Sequence, residues 1–177
     1  GSLALLNLTT GSANVAIGAD AMQACTTGIQ NVGIGGNALD NVTTGTENTC
    51  VGYAALDVVQ TTHRNTAMGH LALQNTSGTQ NTGFGWRTGR TISSGGNNVL
   101  IGADAGNSGS PSGEITTGSN NVVLGDNNIS NLFCADTSIS SSDSRDKTDV
   151  ESFNIGLAWI EALRPVTYRW DRRTWYG

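Results

Sequence analysis

The chain has 177 residues, the length of one ordinary domain or two small ones. Its 24 glycines are about twice the usual share of about 7%, and its charged residues, at 13%, are about half the usual share. The net charge of −5 excludes a broad basic surface for nucleic acid, and no apolar run reaches the roughly 20 residues of a membrane-spanning helix. No signal peptide is visible. We therefore expect neither nucleic-acid binding nor membrane insertion.

The first part of the chain is an internal repeat built on the pattern Asn-x-x-apolar-Gly. The first copies are NVAIG at 14–18 and NVGIG at 31–35, and the last is NVVLG at 121–125. Successive asparagines are separated by 17, 17, 17, 16, 17 and 23 residues, so the period is 17. They are Asn14, Asn31, Asn48, Asn65, Asn81, Asn98 and Asn121.

Each repeat contains one short β-compatible run, one or two apolar residues and a glycine turn. Such a unit cannot bury its apolar residues alone, whereas stacked coils can. We therefore predict that residues 1–133 form a parallel β-solenoid or β-roll, in which the asparagines form a side-chain ladder along the stack. Glycines are expected at the corners, and a brief helical turn is expected at ADAMQ, residues 19–23.

A coil of 17 residues has a thin core. We expect it to contain one apolar residue of the repeat pattern, such as Ile17 or Ile34, and one Leu or Met, such as Met22 or Leu39. This is little apolar area to set against the conformational entropy that folding removes. The repeats therefore predict association of identical chains.

Two features interrupt the repeat. The segment AGNSGSPSGE at 105–114 is an insertion whose Gly, Ser and Pro indicate an exposed loop. Phe84, Trp86 and Arg87 form a cluster in an otherwise aromatic-poor region. The cluster could contact a glycan or another receptor on a host cell surface, but packing between subunits is the favoured interpretation.

The composition changes after a linker at 134–141. Residues 142–177 contain six basic and six acidic residues, including the only lysine, and three of the four tryptophans. Asn154 can cap a helix that runs to about residue 163, and VTYRW at 166–170 alternates as a strand. A segment of this size cannot bury a sizeable core alone. We predict a small α+β module.

Here the sequence resembles a known family. SDSRDKTDVE, followed by the predicted helix and LRPVTYRW, resembles the start of the intramolecular chaperone, or auto-processing peptidase, domain of many phage tail fibres, tailspikes and endosialidases. The resemblance covers 142–170, and the repeat resembles stalks that precede such domains and, more distantly, the β-rolls of trimeric autotransporter adhesin heads. The resemblance to the chaperone family implies a homotrimeric fibre on a virion. The fibre would be made in the host cytoplasm and would be extracellular when functional. Its chaperone would trimerise the fibre and then cut itself off.

The resemblance also implies roles for individual residues. The chain would break between Ser141 and Ser142, with Ser142 and Lys147 as the catalytic pair and Asp143 and Arg145 beside them. A neutral lysine amine can serve as the base if its pKa lies well below about 10.4. Burial and Arg145 would lower that pKa, whereas the neighbouring aspartates would raise it. The implied activity is that of a serine-lysine endopeptidase acting once in cis, with no external substrate and no cofactor.

The sequence departs from the family pattern at two points. Asp146 occupies a position that is often apolar in the family, and the chain ends at Gly177, before the remaining helices of the family domain. We therefore expect the chaperone to be truncated here.

Other readings remain open. A cell-surface or secreted β-solenoid adhesin without autoproteolysis is the main alternative. An ice-binding solenoid needs a Thr-x-Thr ladder, but Thr9-Thr10 and its equivalents are adjacent pairs, which point to opposite faces of a strand. The odd number of cysteines and the solitary His63 and His70 match no metal-site spacing. We therefore expect no metal site.

Overall fold

The computed structural model describes residues 1–58 and 60–133. The chain divides into two compact units, Gly1–Leu132 and Phe133–Gly177, and the first is described here. The helix and strand expected at 154–163 and 166–170, and Cys134, lie outside the described residues. No helix in the described part is long and apolar enough to cross a membrane.

The first unit is a parallel β-solenoid, which confirms the predicted fold class. Seven three-residue strands form one sheet in chain order, and every adjacent pair is parallel. Val15 pairs with Val32 and Ile17 with Ile34, so one coil advances the register by 17 residues. The strands are β1 (Val15–Ile17), β2 (Val32–Ile34), β3 (Thr49–Val51), β4 (Thr66–Met68), β5 (Thr82–Phe84), β6 (Val99–Ile101) and β7 (Val122–Leu124). Coils are numbered below by the strand that they contain.

The core lies between the strands and the corner that follows them. The middle residue of each strand points inward, and Cys50, Ala67 and Leu100 are fully buried there. From the corner, Met22 and Leu39 fill the same interior with no exposed surface. A Cβ added at Gly33 would lie 3.0 Å from Cγ of Met22, which explains why small residues occupy the middle of several strands.

The predicted core is wrong in one respect. The apolar residue of the repeat pattern does not face the interior but stands on the outer face of the sheet. Ile17 is 56% exposed and Phe84 is 54% exposed. Because side chains alternate along a strand, an inward middle residue forces both of its neighbours outward. The chain therefore carries large apolar residues outside and smaller ones inside along much of its sheet.

The expected helical turn at ADAMQ is also absent from the described residues. Asp20 and Met22 have φ values of 57° and 54°, in the left-handed region, and Leu39 and Leu56 repeat this conformation in the next coils at 55° and 51°. Left-handed residues that alternate with right-handed ones make a series of tight turns rather than an α-helix.

The glycine of the repeat pattern is required by both conformation and space. Gly35 has a φ of 133°, and a Cβ at this position would lie 2.4 Å from the carbonyl oxygen of Gly52 in the next coil. The chain can therefore turn at the end of the strand only where no side chain is present.

Candidate functional site

The seven repeat asparagines stand in one column just before the strands. Those of coils two to six are fully buried. Nδ2 of Asn31 donates to the carbonyl of Gly45 at 2.8 Å, and its Oδ1 accepts the main-chain N–H and Nδ2 of Asn48, each at 3.0 Å. This pattern recurs along the column, so each buried amide ties its own coil to the next. The column is a structural ladder rather than a reactive site.

One step of the ladder is different. Asn65 and Asn81 are 16 residues apart, and the main-chain N–H of Asn81 still donates to Oδ1 of Asn65 at 2.8 Å. Nδ2 of Asn81 donates to Gly95 at 2.9 Å, and its bond to the preceding amide is missing from the described contacts. The shorter coil therefore keeps the hydrogen bond from the main-chain N–H to the preceding asparagine but not the one from the side-chain amide.

The outer face of the sheet is a surface of aligned side chains, which we call the strand face. Its third-position column consists of apolar residues at every strand: Ile17, Ile34, Val51, Met68, Phe84, Ile101 and Leu124. At the first position, Val122 is 72% exposed. Six steps between seven strands give the column a length of about 29 Å. A continuous exposed apolar surface of this kind marks an interaction site in soluble proteins.

Several Thr and Ser hydroxyl groups form hydrogen bonds between neighbouring coils of the solenoid. Oγ1 of Thr9 donates to the carbonyl of Thr26 at 2.9 Å, and Oγ1 of Thr43 donates to the carbonyl of Gln60 at 3.1 Å. Ser77 bonds to Ser93 in the same way at 2.7 Å. Because these hydroxyls already link neighbouring coils, they are a poor template for ordered water, which weighs against the ice-binding alternative.

A group of polar contacts joins the fifth coil to the sixth. Nε and Nη2 of Arg87 donate to the two carboxylate oxygens of Asp104 at 2.9 and 2.8 Å. The Arg87 guanidinium also covers the Trp86 ring, 3.7 Å from its centroid. Asn107 donates to the carbonyl of Arg87 at 2.7 Å and to Asp104 at 2.9 Å. Charge-assisted bonds from Arg87 lower the pKa of Asp104, although partial burial opposes the effect.

A cavity of about 590 Å³ adjoins this arrangement. Its lining includes Arg90 and Asp104, Ser108 and Gly109 of the predicted insertion loop, and Asp126, which follows β7. The Nε atom of Arg90 is out of contact with solvent and has no hydrogen-bond partner among the described residues. The insertion, predicted only as an exposed loop, thus forms one wall of a polar cavity.

The aromatic residues are divided between two surfaces. Phe84 is on the strand face, whereas Trp86 follows the turn and stacks on Arg87. Tyr53 and His70 occupy the positions equivalent to Trp86 in the third and fourth coils, and their rings stack with centroids 5.4 Å apart. His63 lies elsewhere, with Nδ1 accepting the main-chain N–H of Thr46 at 3.1 Å. In the described residues, no group of three or more metal-ligating side chains occurs.

Two half-buried carboxylates and two buried thiols take part in no apparent chemistry. Burial raises the pKa of Asp40, to which the negative charge of Asp20 adds, and burial likewise raises the pKa of Asp57. Cys25 and Cys50 are free and buried, and desolvation raises the pKa of both. A thiol kept protonated in this way is a poor nucleophile and packs as a small apolar group.

The predicted cleavage residues lie outside the described part of the chain. This applies to Ser141, Ser142, Asp143, Arg145 and Lys147. The structure therefore adds no geometry to the predicted serine-lysine pair, which stays a prediction.

The fold and the C-terminal sequence together define a class of protein, a repeat β-solenoid followed in the chain by a segment similar to a chaperone family. Residues 142–175 match the family described as Chaperone of endosialidase. This match and the solenoid agree with the resemblance to phage tail-fibre proteins that carry such a chaperone. Neither the curated proteins nor the solved structures contain a match to the chain.

Sequence reasoning missed the cavity and the outward direction of the strand face. The sequence contained one sign of the cavity: two of the three arginines before residue 142 stand three positions apart, just ahead of the insertion. The pairing of Arg87 with Asp104 had another signal, since the two are separated by one period of 17.

Proposed function

We propose that this chain is a structural and adhesive segment of a trimeric viral tail fibre or spike. In this proposal the C-terminal segment drives trimerisation and is then released by autoproteolysis before Ser142. The protein would be made in the host cytoplasm and would act on the outside of the virion. The observation that carries the proposal is the apolar strand face, together with the family match at 142–175.

The strand face supports association with identical chains in register. Its apolar residues repeat at every coil, so a second copy lying parallel to the first presents the same spacing along its whole length. Ile101 and Leu124 are 45% and 44% exposed in the single chain, and contact with another copy would remove this surface from water. Because less than half of each side chain is exposed, its burial would contribute less than the about 1.5–3 kcal/mol of a side chain buried from full exposure. Three copies are proposed because the family in question assembles trimeric fibres.

The proposed cut is an intramolecular acyl transfer. Oγ of Ser142 attacks the carbonyl carbon of Ser141, and the Lys147 amine accepts the hydroxyl proton. The C–N bond then breaks, the new amino group of Ser142 takes up a proton, and water hydrolyses the resulting ester to leave Ser141 as a free C-terminus. Contacts made only in the trimer would desolvate Lys147 and lower its pKa, so cleavage would follow assembly.

Two measurements test the proposal separately. Light scattering of the purified chain should give three times the mass of one chain, and a folded monomer at micromolar concentration would contradict the trimer. Mass spectrometry of the natural full-length protein should show cleavage between Ser141 and Ser142 after assembly. Ser142→Ala should abolish the cut, and Lys147→Ala should abolish or greatly slow it, while both variants still form trimers. Ser144→Ala is the matched control and should be cut normally.

An intact full-length wild-type trimer would favour the adhesin that lacks autoproteolysis. An unchanged cut in both variants would remove Ser142 and Lys147 from the chemistry. The trimer and the cut can therefore fail independently.

A fibre segment of this kind also has the task of contacting a host-cell glycan or receptor. The polar arrangement of the fifth coil, with its exposed Trp86, supports an adhesive role for this part of the solenoid.

A further inference from the structure

The cavity beside the fifth coil is a polar site assembled from three stretches of the chain. Of the ten residues that line it, nine are polar and the tenth is Gly109. Its volume of about 590 Å³ lies within the range of small-molecule sites, about 300–1,000 Å³. Such a lining suits a ligand covered with hydrogen-bonding groups.

Arg90 is the cation of this site that forms no direct ion pair in the described residues. Within the described residues, the two ion pairs join Arg64 to Glu47 and Arg87 to Asp104, so Arg90 has no carboxylate at ion-pair distance, although its charge also helps to lower the pKa of Asp104. The nearby Asp104 carboxylate is already engaged by the two bonds from Arg87 and one from Asn107. The unpaired, buried Nε of Arg90 carries a desolvation cost, and an anionic acceptor in the cavity would stabilise the guanidinium through the part of the side chain that lines it.

The stretch after β7 supplies an acceptor to the same cavity. Asp126 follows β7 and accepts the main-chain N–H and Nδ2 of Asn128 at 3.0 and 2.7 Å. The main-chain N–H of Asn127 donates to the carbonyl of Gly109 at 2.8 Å, which fixes this turn against the insertion loop. A carboxylate near Asp126 would be repelled, whereas sugar hydroxyls could donate to it.

We propose that this cavity binds a carboxylated carbohydrate. Its carboxylate pairs with the Arg90 guanidinium, and its hydroxyls bond to Asp126 and the neighbouring amides. Arginine suits this role because its planar donors match the geometry of a carboxylate. The biological meaning of the site rests on the proposed attachment function, but its binding chemistry depends on neither the trimer nor the cut.

The test is calorimetric titration of the full 177-residue chain with oligosaccharides of galacturonic and glucuronic acid. The methyl-esterified oligosaccharides are the matched ligands, because they keep the hydroxyls and lose the charge. We expect saturable binding of at least one acid and at least tenfold weaker binding of its ester. Arg90→Gln should weaken binding of the acid at least tenfold, and Arg90→Lys should fall between the two. Arg64→Gln, which removes an exposed arginine from another coil, should bind like the wild type.

Three outcomes would overturn the proposal: no saturable binding of either acid, equal binding by Arg90→Gln, or acetate competing as well as the oligosaccharide. The last would mean simple pairing with a carboxylate and no sugar site. Thermal unfolding of each variant separates loss of binding from loss of fold. Light scattering of the same samples reports the trimer, so an intact trimer that binds no sugar acid counts against the site alone.

Discussion

The side-chain amide of Asn48 donates to Oδ1 of Asn31 at 3.0 Å, and the main-chain N–H of Asn48 donates to the same oxygen at 3.0 Å. One buried oxygen thus satisfies two donors from the next coil. Nδ2 of Asn48 also donates to the carbonyl of Thr62 at 2.9 Å, so this residue joins its neighbours on both sides of the stack. No other neutral side chain except glutamine offers a carbonyl oxygen and an N–H₂ group together, and glutamine is longer by one methylene group.

Asn48→Ala should therefore be strongly destabilising. It removes one of the two donors to Oδ1 of Asn31 and leaves the carbonyl of Thr62 and the main-chain N–H of Asn65 without their partner, all in the buried ladder. We expect a loss of about 3 kcal/mol or more in the free energy of unfolding, measured by chemical denaturation. Asn41→Ala, at an exposed asparagine of the preceding coil, is the control and should change this free energy by less than about 0.5 kcal/mol. Similar losses in the two variants would show that the ladder contributes little.

Gly35→Ala should prevent or severely weaken folding. The added Cβ would lie 2.4 Å from the carbonyl oxygen of Gly52, and the backbone has a φ of 133° that alanine rarely adopts. Gly109→Ala is the matched control, because no atom lies within 4 Å of its added Cβ. We expect a cost of at least about 3 kcal/mol at Gly35 and almost none at Gly109, measured by thermal unfolding. A native-like melting temperature for Gly35→Ala would contradict the described turn.

Ile101→Lys should separate folding from self-association. Ile101 is 45% exposed on the strand face, so a lysine there meets solvent in a single chain but is brought close to its copies in a parallel trimer. We expect a smaller mass by light scattering and an unchanged far-ultraviolet circular dichroism spectrum. Ser94→Lys, at an exposed corner away from the strand face, should still give the mass of the wild type. A normal trimer in Ile101→Lys would mean that the strand face is not the interface.

Two aspartates should affect stability in opposite ways as pH changes. The pKa of Asp40 is raised by burial and by Asp20, so the folded state binds its proton more tightly than the unfolded state. The free energy of unfolding therefore falls as the pH rises from about 3.8 through the raised pKa of Asp40. Asp40→Asn should accordingly be more stable than the wild type at pH 7 but not at pH 3.

The pKa of Asp104 is lowered by Arg87, so its contribution is present above about pH 3.8 and is lost as the pH falls through the lowered pKa. Asp104→Asn should accordingly be less stable than the wild type at pH 7, and the difference should shrink in acid. Thermal unfolding of both variants between pH 3 and pH 8 checks the two signs, and the same sign for both would contradict these assignments.

Much of the solenoid follows from the spacing of Asn31, Asn48 and Asn65, because a constant period fixes which residues lie beside each other. The direction of Ile17 does not follow from it. A strand of three residues allows two orientations, and large residues are usually expected inside. Here Met22 and Leu39, from the corner that follows the strands, fill the interior beside Ala16 and Gly33. Both take a left-handed conformation that such residues rarely adopt.

The cavity could be predicted only in part. Arg87 and Asp104 are one period apart and could be paired from the sequence, as could Glu47 and Arg64, which are also 17 residues apart. Asp126 could not be placed in this way, because the insertion before it changes the spacing to 23 residues. The unpaired Nε of Arg90 depends on atomic contacts that no period describes.

The 23-residue step has a practical consequence. Nδ2 and the main-chain N–H of Asn121 donate to Oδ1 of Asn98 at 2.8 and 3.0 Å, as if no extra residues lay between the two. The insertion at 105–114 therefore leaves the ladder in register, while adding or deleting a whole coil changes the reach of the molecule by about 4.8 Å. Changes in this insertion could therefore alter what the protein binds without altering how far it extends. A foreign loop could be grafted at the same corner.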